Sequence, residues 1–177
     1  MVAVHLLIDG YNLIRRSASL GAQDKFALEL GRDALLERLR QYKRYRGHRI
    51  TVVFDAGSKP LPAPEHIQQK GIKLIYSAQG ETADSVIKRI CQKEGRNVLV
   101  VTSDRELASY AERLGSVAMD SEDFEVKMEM ALYLDSKGAE AEDEEEGWSP
   151  GRGTRKKGPA TRLSKKERKK REKWRKL

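Results

Sequence analysis

The sequence predicts an α/β fold with three layers (α/β/α), in which a mostly parallel central sheet lies between two layers of helices. Two observations support this fold. Short apolar runs typical of buried strands recur at residues 4–8, 50–54, 72–76, 97–101 and 115–119. Helical segments separate most of these runs, and strands that alternate with helices form parallel sheets covered on both faces.

The first apolar run ends abruptly at Asp9-Gly10, within the sequence IDGYN. An acid in this position lies at the carboxyl edge of the first strand, where open α/β sheets bind their ligands. A polar loop is expected over residues 15–23, followed by a long amphipathic helix over residues 24–45. The second strand ends in the same way as the first, at Asp55.

The central helix is predicted over residues 81–95, because its apolar residues recur at helical spacing. Thr82 is suited to cap its N-terminus. Glu81 and Asp84 lie at its first turn, with Asp84 beside the apolar stripe. Two acids therefore open this helix.

The rest of the domain continues the alternation of strands and helices. After the strand at residues 97–101, Ser103 and Glu106 have the spacing of a capping box for the next helix. Residues 124–134 alternate with period two, but their residue types favour a helix, which is the structure we predict. The domain is expected to span residues 1–137.

Acidic side chains follow four of the predicted strands and open the central helix. Because parallel strands present their carboxyl ends at one edge of the sheet, these acids are expected to share a cleft. Crowded carboxylates stay ionised where a cation or solvent offsets their charge, and hard oxygen ligands suit Mg²⁺ or Mn²⁺. Such ions orient water and stabilise the charge that develops in phosphodiester cleavage. The acids are Asp9, Asp55, Glu81, Asp84, Asp104 and Asp120.

Each acid also has a structural explanation, because loops and helix N-termini favour carboxylates. For any single acid, this structural role is the more common one. We make an exception for Asp9, because an acid directly after a buried strand is hard to explain by solubility. Asp104 stays open between the two roles, since Ser103 and Glu106 already place it in a first turn. Asn12 either orients a ligand or closes the turn.

Other chemistries have little support in the sequence. It contains neither a glycine motif for dinucleotides nor a P-loop for nucleotide phosphates. The three histidines are scattered, and His5 lies inside a strand, where a satisfied core histidine is expected. A phosphatase with an aspartyl nucleophile would have a second acid two residues after Asp9, at the position of Tyr11.

Composition is consistent with one core domain in a reducing compartment. The chain of 177 residues has 38% hydrophobic residues and a mean hydropathy of −0.69. Its single cysteine, Cys91, lies on the apolar face of the central helix and is expected to pack there. No apolar run has the length of a membrane span or the form of a secretory signal. We therefore expect a cytoplasmic protein with no membrane partner.

The net charge of +8 is concentrated at the C-terminus. Residues 140–146 contain six acids, whereas residues 147–177 contain 14 bases and two acids. The composition of residues 138–177 predicts a disordered tail, in which residues 164–177 are able to form a basic helix. Such segments bind RNA phosphates by counterion release, and the alternative is a solubilising tail. The candidate RNA-binding residues are Arg155, Lys156, Lys157, Lys165, Lys166, Arg168, Lys169, Lys170, Arg171 and Trp174.

Four motifs, IDGYN, VVFDAG, GETAD and VVTSD, occur in this order along the chain. They resemble the YacP-like branch of the NYN domain family, within the PIN-like nuclease superfamily, over residues 3–135. The resemblance implies a metal-dependent ribonuclease on a PIN-like fold, with Asp9, Asp84 and Asp104 as the metal-binding acids. The further site residues that it implies are Asn12, Asp55 and Glu81, with Asp120 or Asp123 as a fourth acid.

These features predict a Mg²⁺- or Mn²⁺-dependent endoribonuclease without an organic cofactor. Its tail is expected to recruit RNA, either mRNA or rRNA, or a ribonucleoprotein such as the ribosome. An RNA-binding adaptor with a degenerate nuclease site is the main alternative. A third candidate, an unrelated α/β phosphohydrolase acting on small molecules, leaves the basic tail without a purpose.

Overall fold

The computed structural model of the protein describes residues 4–17, 19–20, 25–56 and 62–141. In this part of the chain the strands are β1 His5–Asp9, β2 Arg49–Phe54, β3 Glu65–Gln69, β4 Ile72–Tyr76, β5 Val98–Val101 and β6 Val117–Met119. The helices are α1 Gly10–Arg16, α2 Lys25–Arg46, α3 Ala83–Glu94, α4 Arg105–Arg113 and α5 Ser121–Ala141, with a 3₁₀ turn at Gly95–Asn97. The predicted tail lies outside the described residues beyond Ala141.

The strands form one sheet in the order β3-β4-β2-β1-β5-β6, and all neighbours are parallel except β3 and β4. The central strand is β1, in which Ile8 pairs with Val52 of β2 and with Val101 of β5. The predicted α/β fold with a mostly parallel sheet is confirmed. Asp9, at the end of β1, therefore lies in the middle of the carboxyl edge of the sheet.

Helices cover both faces of the sheet, because side chains alternate along each strand. Leu6 and Ile8 of β1 face a core built with α1, α2 and α5. Leu7, between them, faces a second core built with α3 and α4, in which Cys91 is fully buried, as predicted. His5 is also buried, and its Nε2 lies 2.9 Å from Thr51 Oγ1. The continuous apolar runs of the sequence result from burial on both faces.

Three local predictions were wrong. Residues 15–16 belong to helix α1 rather than to a loop, since Asp9 caps this helix and Leu13 packs beneath it in the core. Strand β3 was not predicted, because all five of its side chains are exposed and it forms by pairing its backbone with β4. The cap of α4 is Asp104 rather than Ser103, since Asp104 Oδ1 accepts hydrogen bonds from two backbone N–H groups of the first turn.

Two other predictions hold with changed details. Thr82 caps α3, and its Oγ1 accepts a hydrogen bond from the N–H of Ser85 at 3.2 Å. Helix α5 covers the segment that alternates with period two, and it extends to Ala141, beyond the expected domain end. No helix in the described part of the chain is long and apolar enough to cross a membrane.

Gly10, the first residue of α1, is packed against a buried aromatic ring. A Cβ atom at this position would lie 2.3 Å from Cε1 of Phe54, which is fully buried. We expect Gly10→Ala to lower the free energy of unfolding by about 1–3 kcal/mol, because the core has no room for the ring to move. Denaturant titration measures this loss. Gly10→Ala in a Phe54→Leu background should cost less, and an equal cost in both backgrounds would contradict the packing.

Candidate active site

A cleft of about 440 Å³ opens where β1 and β2 end and where α1, α3 and α4 begin. Because each of these helices begins near the carboxyl edge of the sheet, residues far apart in the sequence meet in this cleft. Five of the six residues that the sequence predicts as site residues line it: Asp9, Asn12, Asp55, Asp84 and Asp104.

Asp9 is the most enclosed of these acids, with 8% of its surface exposed. Its Oδ1 accepts a hydrogen bond from the N–H of Asn12 at 3.2 Å, and its Oδ2 from Thr102 Oγ1 at 3.5 Å. Burial, together with the charges of Asp84 and Asp55, raises the pKa of Asp9 to about 6, against the hydrogen bond from Asn12. A cation near Asp9 would therefore favour the ionised form of this carboxyl.

The other three aspartates are held by the helices that begin at the cleft. Asp84 lies in the first turn of α3, and burial, followed by the charges of Asp104 and Asp55, raises its pKa. Asp55 Oδ1 accepts a hydrogen bond from the N–H of Ala83 at 2.7 Å, which joins the end of β2 to the start of α3. Asp104 Oδ1 accepts hydrogen bonds at 2.7 and 2.9 Å from the first turn of α4.

Asn12 ties three segments together at the rim of the cleft. Its Oδ1 accepts hydrogen bonds from the N–H of Ser103 and from Ser121 Oγ, each at 2.8 Å. These bonds fix α1 against the loop after β5 and against the start of α5. Asn12 therefore does more than close a turn. These two hydrogen bonds use only its Oδ1 and not its amide Nδ2, and the residue lines the cleft.

The family model of the YacP-like NYN domain matches residues 6–176 of the chain. The protein belongs to this family. The match extends well beyond the resemblance at residues 3–135 and includes the basic tail, which is thus within the span of the family rather than an addition to it. The chain is accordingly a domain of a nuclease family, in which divalent metal ions are typical.

Individual relatives agree with this assignment. Uncharacterized protein YacP of Bacillus subtilis (strain 168) is 31% identical over 102 residues, which are 56% of this chain and only 59% of that protein. A crystal structure of a mutant of Rae1 (YacP) from Bacillus subtilis matches with a TM-score of 0.67, covering 79% of this chain and 84% of that one. A second Rae1 (YacP) structure has a TM-score of 0.62, covering 80% and 81%. At 24% identity, both structures show the fold of this YacP-like NYN domain.

Of the acids predicted for the site, Glu81 and the candidate fourth acids Asp120 and Asp123 do not line the cleft. Glu81 Oε1 lies 2.5 Å from Arg89 Nη1, and its Oε2 accepts a hydrogen bond from the N–H of Ala78 at 3.4 Å. Asp120 caps α5 by accepting a hydrogen bond from the N–H of Glu122 at 2.8 Å. Together with Asp123 it lines a depression of about 250 Å³ that meets the cleft at Asp104, which lines both. The role of either residue as a fourth acid stays a prediction.

Two arginines of the cleft were missed by the sequence analysis, because the segment that holds them was taken for a loop. Arg15 and Arg16, at the end of α1, line the cleft beside the four aspartates. Their positions three and four residues after Asn12 are a signal that could have revealed them, since residues at this spacing share a helical face. Guanidinium groups bind phosphate oxygens in bidentate geometry, so the cleft has groups for an anionic substrate as well as for a cation.

The donor chemistry of the cleft suits a divalent cation, although the side chains do not enclose one as they stand. Among the described residues, no group of three or more His, Cys, Asp or Glu side chains is arranged to hold a metal ion. Asp55 and Asp104 instead direct Oδ1 to backbone N–H groups. The burial and mutual repulsion that raise the pKa values of Asp9 and Asp84 are what a bound Mg²⁺ or Mn²⁺ would offset.

Proposed function

We propose that this protein is a Mg²⁺- or Mn²⁺-dependent endoribonuclease. One observation above all supports the proposal: four aspartates from four separate segments meet in a single cleft of a nuclease-family domain. Hard carboxylate oxygens at the carboxyl edge of a parallel sheet are suited to a divalent cation and to a phosphodiester substrate.

In this proposal Asp9, Asp84 and Asp104 hold the metal ion. A divalent cation there would supply Lewis-acid polarisation of the phosphodiester and a lowered pKa for a bound water. Asp9 is kept in position by the N–H of Asn12 and by the hydroxyl of Thr102. Asp55 maintains the wall of the cleft through its hydrogen bond to α3.

Arg15 and Arg16 have a different role, which is to bind the substrate. Both line the same cleft as the aspartates, so they border the space that a bound phosphodiester would occupy. We assign them to phosphate oxygens next to the bond that is cleaved. Asn12 acts as a positioning residue, because it fixes α1, which presents both arginines.

The basic tail is assigned to recruitment. Its 14 bases within residues 147–177 suit structured RNA or a ribonucleoprotein, such as the ribosome, and we place the activity in the cytoplasm. The second candidate function is an RNA-binding adaptor without catalysis. It is favoured by the hydrogen bonds that occupy Asp55 and Asp104 and by the pairing of Glu81 with Arg89. Incubation with RNA in Mn²⁺ and in chelator separates the two, because only the nuclease cleaves RNA, and only with metal.

Melting curves test the metal site without any RNA. We expect Mn²⁺ to stabilise the wild type by about 2.7 kcal/mol at a hundredfold excess over Kd, because it binds only the folded state. Asp9→Asn should respond much less. In chelator, however, Asp9→Asn should melt at or above the wild-type temperature, since it removes a buried and repelled carboxylate.

The matched control is Asp33→Asn, which makes the same change at an exposed aspartate of α2 outside the cleft. Substitutions at such exposed positions change stability little, so this variant should keep the full response to Mn²⁺. If Mn²⁺ shifts the melting temperature of the wild type and of Asp9→Asn equally, the aspartates do not form a metal site. The nuclease proposal then loses its physical basis.

A further inference from the structure

A second groove, of about 530 Å³, lies between α3 and the part of the sheet that β2, β4 and β3 form. We call it the basic groove. Five cations line it, against a single carboxylate, Glu94. Its charge is therefore opposite to that of the aspartate cleft. The cations are Lys43, Arg49, Lys73, Arg89 and Lys93.

Two of these cations are not engaged by the protein itself. Arg49 is paired with Glu94 and Arg89 with Glu81, and Lys43 donates a hydrogen bond to the carbonyl oxygen of Gly71. Lys73 and Lys93 are exposed and make no hydrogen bond or ion pair within the described part of the chain. The positive charges also act on His5. Burial lowers the pKa of His5, and the charges of Arg49 and Lys73 lower it too, whereas Glu94 raises it. The groove therefore carries a surplus of positive charge.

The floor of the groove is the flat surface of the sheet at its β3 edge. His66 of β3 is paired with Ile75 of β4, and Gln68 with Lys73, so these four side chains share one face. Ile75 is buried against α3, but all five residues of β3 are exposed, so no described helix covers the β3 part of this face. Imidazole and amide groups beside an apolar strand suit the stacking and hydrogen bonding of unpaired bases, and the cations suit phosphates.

The basic groove is close to the aspartate cleft along the chain and in space. Arg89, which lines the groove, is paired with Glu81 at 2.5 Å. Glu81 is followed directly by Thr82 and Ala83, which line the cleft. The start of α3 thus separates the two sites, and a strand of nucleic acid that leaves the cleft around this helix end reaches the groove.

We propose that the basic groove binds the backbone of single-stranded RNA that extends from the cleft. This inference rests on the proposed function, because it takes RNA as the substrate. Lys73 and Lys93 bind phosphates from opposite sides of the groove, one from the sheet and one from α3. The groove determines how long a stretch of unpaired RNA the protein holds, whereas the cleft determines where the RNA is cut.

The test compares Lys73→Gln/Lys93→Gln with Arg44→Gln/Arg113→Gln, which removes the same charge from exposed side chains outside the groove. The full chain is titrated with an unstructured RNA of about 20 nucleotides, in chelator, at several salt concentrations. We expect the groove variant to bind roughly tenfold more weakly at low salt. Its slope of log K against log salt should be shallower by about 1.4, because two phosphate contacts are lost. The control should keep the wild-type slope and affinity.

A groove variant that binds like the control, or a wild type that does not bind this RNA, overturns the proposal. Failure here is distinct from failure of the proposed function, because binding in chelator requires no catalysis. Cleavage in Mn²⁺ gives the second readout. The groove variant should lose cleavage efficiency on the RNA of about 20 nucleotides but not on one of about four nucleotides, which the cleft alone accommodates. An equal loss of cleavage efficiency on both RNAs would indicate that Lys73 and Lys93 act in the catalytic site. That result would also overturn the proposed role of the groove.

Discussion

Asp9→Asn is expected to lower kcat/KM for RNA cleavage in Mn²⁺ by at least about a hundredfold while the protein stays folded. The amide has nearly the same shape as the carboxylate and still caps α1, but it is a poorer and uncharged metal ligand. Asp9 also lies at the end of a strand in the interior of the sheet, and it is buried. Cleavage of a labelled single-stranded RNA measures the loss, and far-UV circular dichroism verifies the fold.

Asp33→Asn is the control for this experiment. Asp33 is an exposed residue of α2 and does not line the cleft. We therefore expect this variant to keep activity within about twofold of the wild type. If Asp9→Asn cleaves RNA at close to the wild-type rate, Asp9 is not a metal ligand. If Asp33→Asn is as inactive as Asp9→Asn, the loss of activity does not report the metal site.

Deleting residues 147–177 is expected to produce the largest change in RNA affinity, because it removes 14 bases and only two acids. Each phosphate contact that is lost should make the slope of log K against log salt shallower by about 0.7 for single-stranded RNA. We expect a change of several units in this slope and little change in the melting temperature. Titration of RNA at several salt concentrations, in chelator, measures the slope for both proteins.

Trp174→Ala in the full chain is the matched control for the tail. It keeps every charge of the tail, so the salt slope should stay that of the wild type. Any loss of affinity then reports stacking of a base on the indole, which is typically about 1–3 kcal/mol. A truncated protein with an unchanged slope would show that the phosphate contacts lie on the domain, where the basic groove is the candidate surface.

The positions of the strand-end acids could be predicted because they depend on a local pattern. A buried strand is a run of apolar residues, and an acid that ends the run lies at the edge of the sheet whichever neighbours the strand has. Asp9 and Asp55 were located in this way, and the alternation of strands and helices was sufficient to place both on the same edge. The start of α3 was equally local, since Thr82 has a capping side chain at the expected position.

Elements without such a local pattern were missed for physical reasons. Helix α1 has only seven residues, too few for its apolar period to be distinguished from a loop. Strand β3 has no buried side chain, and it exists because β4 offers its backbone for pairing. Arg15 and Arg16 were not predicted as site residues, because the helix that holds them, α1, was not predicted. The cations of the basic groove come from α2, β2, β4 and α3, and no spacing in the sequence connects them.

The fold class, the family and the edge of the sheet where the aspartates gather could all be predicted from the sequence, because they depend on hydrophobic periodicity and on motifs of consecutive residues. The partner of each polar side chain depends instead on the three-dimensional packing. Glu81 is directed to Arg89, Asn12 to Ser103 and Ser121, and Asp104 to the N–H groups of α4. A side chain turns toward the donor or acceptor that the fold places within about 3 Å, and that partner is set by packing rather than by neighbours in the sequence.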